Sequence, residues 1–341
     1  MKGTKFLPSL LFVGILSVLL PLLSACGPGK DRVRFEGKLE NISQAEFYAY
    51  SDAGEIDGID TIRIEDGRFT YERMLTRPVL LTLLYPNFTR TYVILEPGKT
   101  IRMKGDAAKI GEATITGSEE NQLLTDFRLA NLSGPEAKRR LAASQFIRDH
   151  ASTLAAVAVF KRHFAGIKNP DPAQALAMLD VLHQAQPQNR SVIDLEANFR
   201  PFLLNTVGSQ MQAFEAQTLD GAHISSTTFE GKGLIVLTCA TWRPKSFSLL
   251  RSVRRLLQEN ELEGWECLIV SLDSDVKACR ERLEADSISY PVVCDGMSFD
   301  SPLVNKLSLT RVPTCMVVDK SGKILARDVT DQSELLKYLK Q

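Results

Sequence analysis

The period of the apolar residues changes twice along this chain, and that bounds the folds open to it. From Val33 to about Ser118 the period is two. Val33, Phe35, Gly37 and Leu39 alternate with charged residues, as the two faces of a half-buried strand require. Further short β-rich runs are Phe47 to Tyr50, Thr61 to Ile64, Phe69 to Tyr71, Val79 to Leu84, Tyr92 to Leu95 and Thr100 to Met103. In Ile64-Glu65-Asp66-Gly67-Arg68-Phe69 the Asp-Gly pair accepts the positive φ of a type I′ turn, which predicts a hairpin. Glu96-Pro97-Gly98-Lys99 marks another turn. Many short strands with frequent turns argue a small all-β sandwich or barrel over residues 33–118.

From Glu119 to about Asn205 the period becomes 3.6. Ala137 to Phe146, Leu154 to Phe164, Ala173 to Leu182 and Val192 to Leu204 read as helices. Ser133-Gly134-Pro135-Glu136 is a helix start with proline in the first turn. No catalytic constellation stands out here, so residues 119–206 are expected to form a helical connector. From Val207 onward strands and helices alternate. Leu234 to Leu237, Cys267 to Val270, Tyr290 to Val293 and Cys315 to Val318 read as strands. Ser246 to Leu257, Val276 to Ala285 and Ser333 to Leu339 read as helices, and Lys320-Ser321-Gly322-Lys323 turns into Ile324-Leu325-Ala326. That order implies a C-terminal α/β domain with a mixed sheet over residues 207–341.

The first residues carry a different signal. Lys2 and Lys5 precede an almost wholly apolar run from Phe6 to Leu23, then Leu23-Ser24-Ala25-Cys26 and Gly27-Pro28-Gly29. This reads as a secretory signal peptide over residues 1–25 and a short tether over 26–32. Eighteen or so apolar residues are also long enough for an uncleaved membrane anchor. Pro8, Pro21 and the placement of the cysteine favour the first reading. The stretch resembles a bacterial lipobox, which implies acyl chains on Cys26. At about 0.8 kcal/mol per buried methylene, two or more chains hold a protein on a membrane. The expectation is a membrane-anchored lipoprotein of the cell envelope facing the periplasm. Gly27 rather than Asp favours the outer membrane by the same resemblance.

Basic and acidic residues number 41 each, so the net charge is zero, and no block of five like charges occurs. That argues against a nucleic-acid footprint or a polybasic membrane patch. His150, His163, His183 and His223 are far apart and lack ligand spacing. Neither a metal nor another cofactor is expected.

Besides Cys26 the cysteines are Cys239, Cys267, Cys279, Cys294 and Cys315, all in the last third. Five is odd, so one thiol at least stays free or pairs with another chain. Cys267 and Cys294 sit in apolar strand-like runs. Cys279 lies on a helix and is the candidate for exposure. Cys239 and Cys315 fall on strands expected to be neighbours. They are the candidates for residual redox chemistry, weighed against two buried thiols acting as small core side chains.

The C-terminal segment resembles the thioredoxin-like domains of membrane-tethered bacterial thiol–disulfide interchange proteins, the TlpA/ResA-like group. Three stretches carry the resemblance. Val207-Gly208, Phe214 and Thr218 to Ile224 are similar to that family's opening strand pair. Phe229 to Leu237 is similar to its Gly-Lys lead into the central strand, and Leu309-Thr310-Arg311-Val312-Pro313-Thr314 to its cis-proline strand. The upstream β-domain resembles a domain of unknown function often found ahead of such domains in envelope lipoproteins. Fold alone does not give function.

The family pattern is broken where its chemistry sits. There the resemblance implies a tryptophan, a cysteine, two residues and a second cysteine at a helix start. This chain reads Trp242-Arg243-Pro244-Lys245-Ser246. The first sulfur has to be a thiolate and the second has to resolve a mixed disulfide. A guanidinium stays protonated and cannot attack, and Ser246 cannot form a disulfide. No catalytic residue is therefore assigned. What remains is a candidate binding site: Arg243 and Lys245 at the helix start, facing Arg311, Val312, Pro313 and Thr314. Such a set suits a carboxylate or acidic peptide, or a segment added as an extra strand beside the proline. Solvated arginines on a surface released from catalysis are the plainer account.

Three functions follow. The first is an envelope-tethered binding module for a peptide, protein or small ligand. The second is a thiol–disulfide oxidoreductase or thiol peroxidase using a displaced cysteine. The third is a structural envelope lipoprotein.

Overall fold

A computed structural model of the protein describes residues 28–167, 170–259, 262 and 264–340. Cys26 and the apolar leader lie outside the described residues. The chain divides into two compact units, Met1–Gly166 and Ile167–Gln341. The division falls inside the segment expected as one helical connector, so its first helices belong with the β-domain and its last with the α/β domain.

The first unit holds eight strands: β1 (Arg32–Glu40), β2 (Gln44–Tyr50), β3 (Asp60–Glu65), β4 (Arg68–Met74), β5 (Val79–Leu84), β6 (Arg90–Leu95), β7 (Thr100–Asp106) and β8 (Thr114–Thr116). They form one barrel-like sheet in the order β6-β5-β2-β3-β4-β1-β7-β8. Strands β1 and β7 pair parallel, and the other described pairings of this sheet are antiparallel. The β3–β4 hairpin closes with Glu65 opposite Arg68. Asp66 and Gly67 take φ of 49° and 69°, the backbone an Asp-Gly type I′ turn demands. Alternation buries Val33, Phe35 and Leu39 of β1. Gly37 sits opposite Phe69, whose ring occupies the space a Cβ there would need. Phe69 in turn meets Phe35 edge-on at 5.0 Å.

Helix α1 (Glu119–Ala130) starts from Ser118, whose hydroxyl accepts the Asn121 N–H. It is followed by α2 (Glu136–Asp149) and α3 (Leu154–Phe160), the last running into a wide helical turn over Lys161–Ala165. Helix α1 lies against both end strands of the sheet. Asn121 donates to Ile94 O of β6 at 2.7 Å and accepts the Ile94 N–H at 3.0 Å. One turn on, the Thr125 hydroxyl donates to Ile115 O of β8 at 2.9 Å and accepts the Ile115 N–H at 3.2 Å. Two polar side chains spaced i, i+4 thus satisfy backbone groups that an open sheet edge leaves unpaired. Arg128 continues the row, donating to Gly111 O and Ala113 O.

The second unit begins with α4 (Pro172–Ala185), α5 (Arg190–Asp194) and α6 (Arg200–Leu204). A short antiparallel pair follows, β9 (Glu215–Gln217) and β10 (His223–Ser225). The α/β part then runs β11 (Gly233–Cys239), α7 (Pro244–Glu259), β12 (Trp265–Ser271), α8 (Val276–Ala285), β13 (Val292–Val293), α9 (Pro302–Lys306), β14 (Thr314–Val318), β15 (Ile324–Val329) and α10 (Gln332–Leu339). The sheet order is β13-β12-β11-β14-β15. Strand β11 is parallel to β12 and antiparallel to β14, the mixed sheet the sequence implies. Every residue of β11 is buried, and apolar cores cover both faces of the sheet. This is a thioredoxin-like α/β domain.

Candidate functional site: a proline groove without sulfur

The central strand ends at Cys239, and the chain then turns tightly into α7. Arg243 N–H donates to Ala240 O at 3.1 Å and Ser246 N–H to Arg243 O at 2.8 Å. Ser246 is fully buried. Its Oγ accepts the Ala240 N–H at 3.2 Å, so it ties the strand end to the helix start. Thr241 is held from the next strand's end. Its N–H donates to Asp273 Oδ1 at 2.8 Å and its hydroxyl to the same oxygen at 2.6 Å. Asp273 is itself buried and also accepts the Ser271 hydroxyl at 2.8 Å.

The facing segment is anchored the same way. The Val312–Pro313 peptide bond is cis. Thr238 of β11 donates its hydroxyl to Arg311 O at 2.7 Å and accepts the Thr314 N–H at 3.0 Å. One side chain on the central strand thus holds the backbone on both sides of the proline.

Between corner and proline lies an open groove of about 1230 Å³. Trp242, Arg243 and Lys245 form one wall, Arg311, Val312 and Pro313 the other. The structure therefore brings together the residues that the sequence proposed as a binding set. Thr314 is buried beneath them. Trp242 is 52 % exposed, and the Arg243 guanidinium stands 5.5 Å from the centre of its ring. That contact gives the arginine an aromatic partner worth about 0.5–1 kcal/mol at an exposed site. It offsets the unfavourable placing of a cation at a helix N-terminus. Asp331 also lines the groove. It caps α10 by accepting the Ser333 and Glu334 N–H groups. The bond from the Ser333 hydroxyl, then those N–H groups, keep its carboxyl below the usual range. Three cations and one carboxylate make the groove electropositive but not uniform.

Among the described residues no cysteine lines this groove, and the five described cysteines are free and buried. Cys279 departs from the expectation that it is exposed: it is 1 % accessible, because its face of α8 turns onto the sheet rather than to solvent. Leu237 pairs with Cys315, so Cys239 lies two residues further on and both sulfurs face the same core. Burial pushes both thiols up to about 12 and Cys267 well above the ordinary thiol range. Such thiols are poor nucleophiles. The contact that does form joins Cys279 and Cys294. The two thiols act on each other, which brings Cys294 down and pushes Cys279 up. Cys294 also points its sulfur at Asp273 O at 3.8 Å.

Sequence reasoning missed Thr238, Asp273 and Asp331. Thr238 interrupts an apolar run, and Asp273 follows one in Ser271-Leu272-Asp273. A polar residue at the carboxyl end of a buried strand was the available signal.

Residues 33–124 match a family described as a domain of unknown function, DUF4369. Residues 207–327 match the AhpC/TSA family. No curated protein matches the chain. Solved structures similar to it include a thiol-disulfide oxidoreductase from Bacteroides fragilis, 24 % identical over 38 % of this chain and 98 % of that one, with a TM-score of 0.35. A thiol:disulfide interchange protein of the thioredoxin family from Chlorobium tepidum is 21 % identical over 40 % and 96 %, TM-score 0.35. Another thiol:disulfide interchange protein, from a Bacteroides species, is 18 % identical over 40 % and 91 %, TM-score 0.34. The chain carries an AhpC/TSA thioredoxin-like domain behind a DUF4369 domain.

Proposed function

We propose that the thioredoxin-like domain is a binding module that holds an extended peptide or protein segment, on a lipid-anchored protein of the cell envelope. The observation that carries the reading is the groove between Trp242 and Pro313, open and electropositive, with no sulfur in its wall. Backbone at the proline can pair with an added strand without redox chemistry. Arg243, Lys245 and Arg311 then favour a segment bearing carboxylates. The anchor at Cys26 rests on the leader pattern alone.

A fluorescently labelled acidic peptide, titrated into the full chain, tests this. Binding in the range of about 1–100 µM is expected. It should weaken with salt and fall at least about tenfold in the Arg243→Ala/Arg311→Ala double variant. Equal affinity in wild type and double variant would remove the reading.

A second reading, thiol–disulfide exchange through displaced cysteines, is favoured by the Cys279–Cys294 contact and opposed by the burial of both. Insulin reduction by the full chain separates the two. Turnover like that of a thioredoxin, lost in Cys294→Ser, supports the second reading; background turnover supports the first.

A further inference from the structure

Helix α1 continues its polar row into a cavity of about 50 Å³ in the first unit. Its wall includes Thr91 of β6, Arg128 of α1, Arg139 of α2, and Arg162 and His163 after α3, with Phe127 supplying apolar surface. Among the described residues, no carboxylate lines it.

Two features leave this cavity short of negative charge. Arg128 is 8 % exposed, and its described bonds go to two carbonyls, Gly111 O and Ala113 O. Those satisfy donors but do not cancel a buried charge. Finally, Asp52, whose charge acts on the adjoining Tyr92, is already bound to Lys161 Nζ at 3.0 Å. A buried cation without a counter-charge, on a wall of further cations, calls for a partner from outside the chain.

We propose that this cavity is a site for a small oxyanion, a phosphate or a carboxylate group, held between Arg128, Arg139 and Arg162. The site is separate from the proline groove and does not depend on what that groove binds. The planar guanidinium fork suits both oxyanions. The small volume admits the charged group rather than a large molecule.

Calorimetric titration of the full chain with inorganic phosphate and, separately, with acetate tests the proposal, chloride keeping ionic strength constant. Saturable binding of at least one oxyanion is expected, and which one saturates decides between phosphate and carboxylate. Arg128→Lys also disturbs the seam of α1 and can unfold the unit. The deciding variant is therefore Arg139→Gln/Arg162→Gln, whose residues lie nearer the surface. It should weaken binding at least about tenfold while leaving the anion-free unfolding midpoint within a degree or two. No saturable heat from either anion, or unchanged affinity in the double variant, overturns the site.

Discussion

Asp273 holds Thr241 through both its backbone N–H, at 2.8 Å, and its hydroxyl, at 2.6 Å. The turn from β11 into α7 is thus fixed from the neighbouring strand. Asp273→Ala would leave the Thr241 N–H and the Ser271 hydroxyl without this acceptor in a buried setting. A loss of about 2–3 kcal/mol is expected, read as a lower midpoint in urea. An unchanged midpoint would show that the corner does not depend on the carboxylate.

If Arg243 and Ser246 stand where the two sulfurs belong, Arg243→Cys/Ser246→Cys should restore exchange. Position 243 is exposed at the start of α7 and position 246 is buried one turn behind it. That gives an attacking thiol favoured by the helix N-terminus and a sheltered resolving thiol. The double variant should reduce insulin at least about tenfold faster than wild type, and either single variant should not. A double variant as inert as the parent would place the lost site elsewhere.

The seam formed by α1 is testable through its two polar residues. Asn121→Leu removes both partners of Ile94, and Thr125→Val removes both partners of Ile115. Each should cost about 1–3 kcal/mol. Because they sit one turn apart on one helix, the double variant should depart from additivity by more than about 0.5 kcal/mol. Denaturant unfolding of the three variants gives the cycle.

His163 makes the first unit sensitive to acid. Burial first, then the nearby Arg162 and Arg139, bring its imidazole down to about 4. Unfolded, it takes its proton near 6.5. Between these values the unfolded chain binds more protons, so stability present above pH 6.5 is lost as the pH falls toward 4. Solvent screening limits the effect to about 1–2 kcal/mol. His163→Asn should flatten the unfolding midpoint across that window, and an unaltered slope would assign the acid sensitivity to other groups.

The hairpin at Asp66-Gly67 and the alternation of β1 were readable because each follows from one local rule, a positive φ or a single buried face. The mixed sheet around β11 was readable from an apolar run bounded by turns. Helix α1 was not singled out. Asn121, Thr125 and Arg128, which it buries, are polar, so its inward face does not look apolar. The wall of the groove was readable from Trp242 and Pro313 alone. Its supports were not, since Thr238 and Asp273 act on backbone groups brought near only by the folded sheet.

The helix that closes the sheet decides where this chain can be cut. A fragment ending at residue 118 would keep all eight strands yet lose the side chains that occupy the outer N–H and C=O groups of β6 and β8. Two bare rims of that kind template pairing between molecules. The strands without their helix are expected to self-associate, and a fragment that keeps both rims covered has to include Asn121 and Thr125.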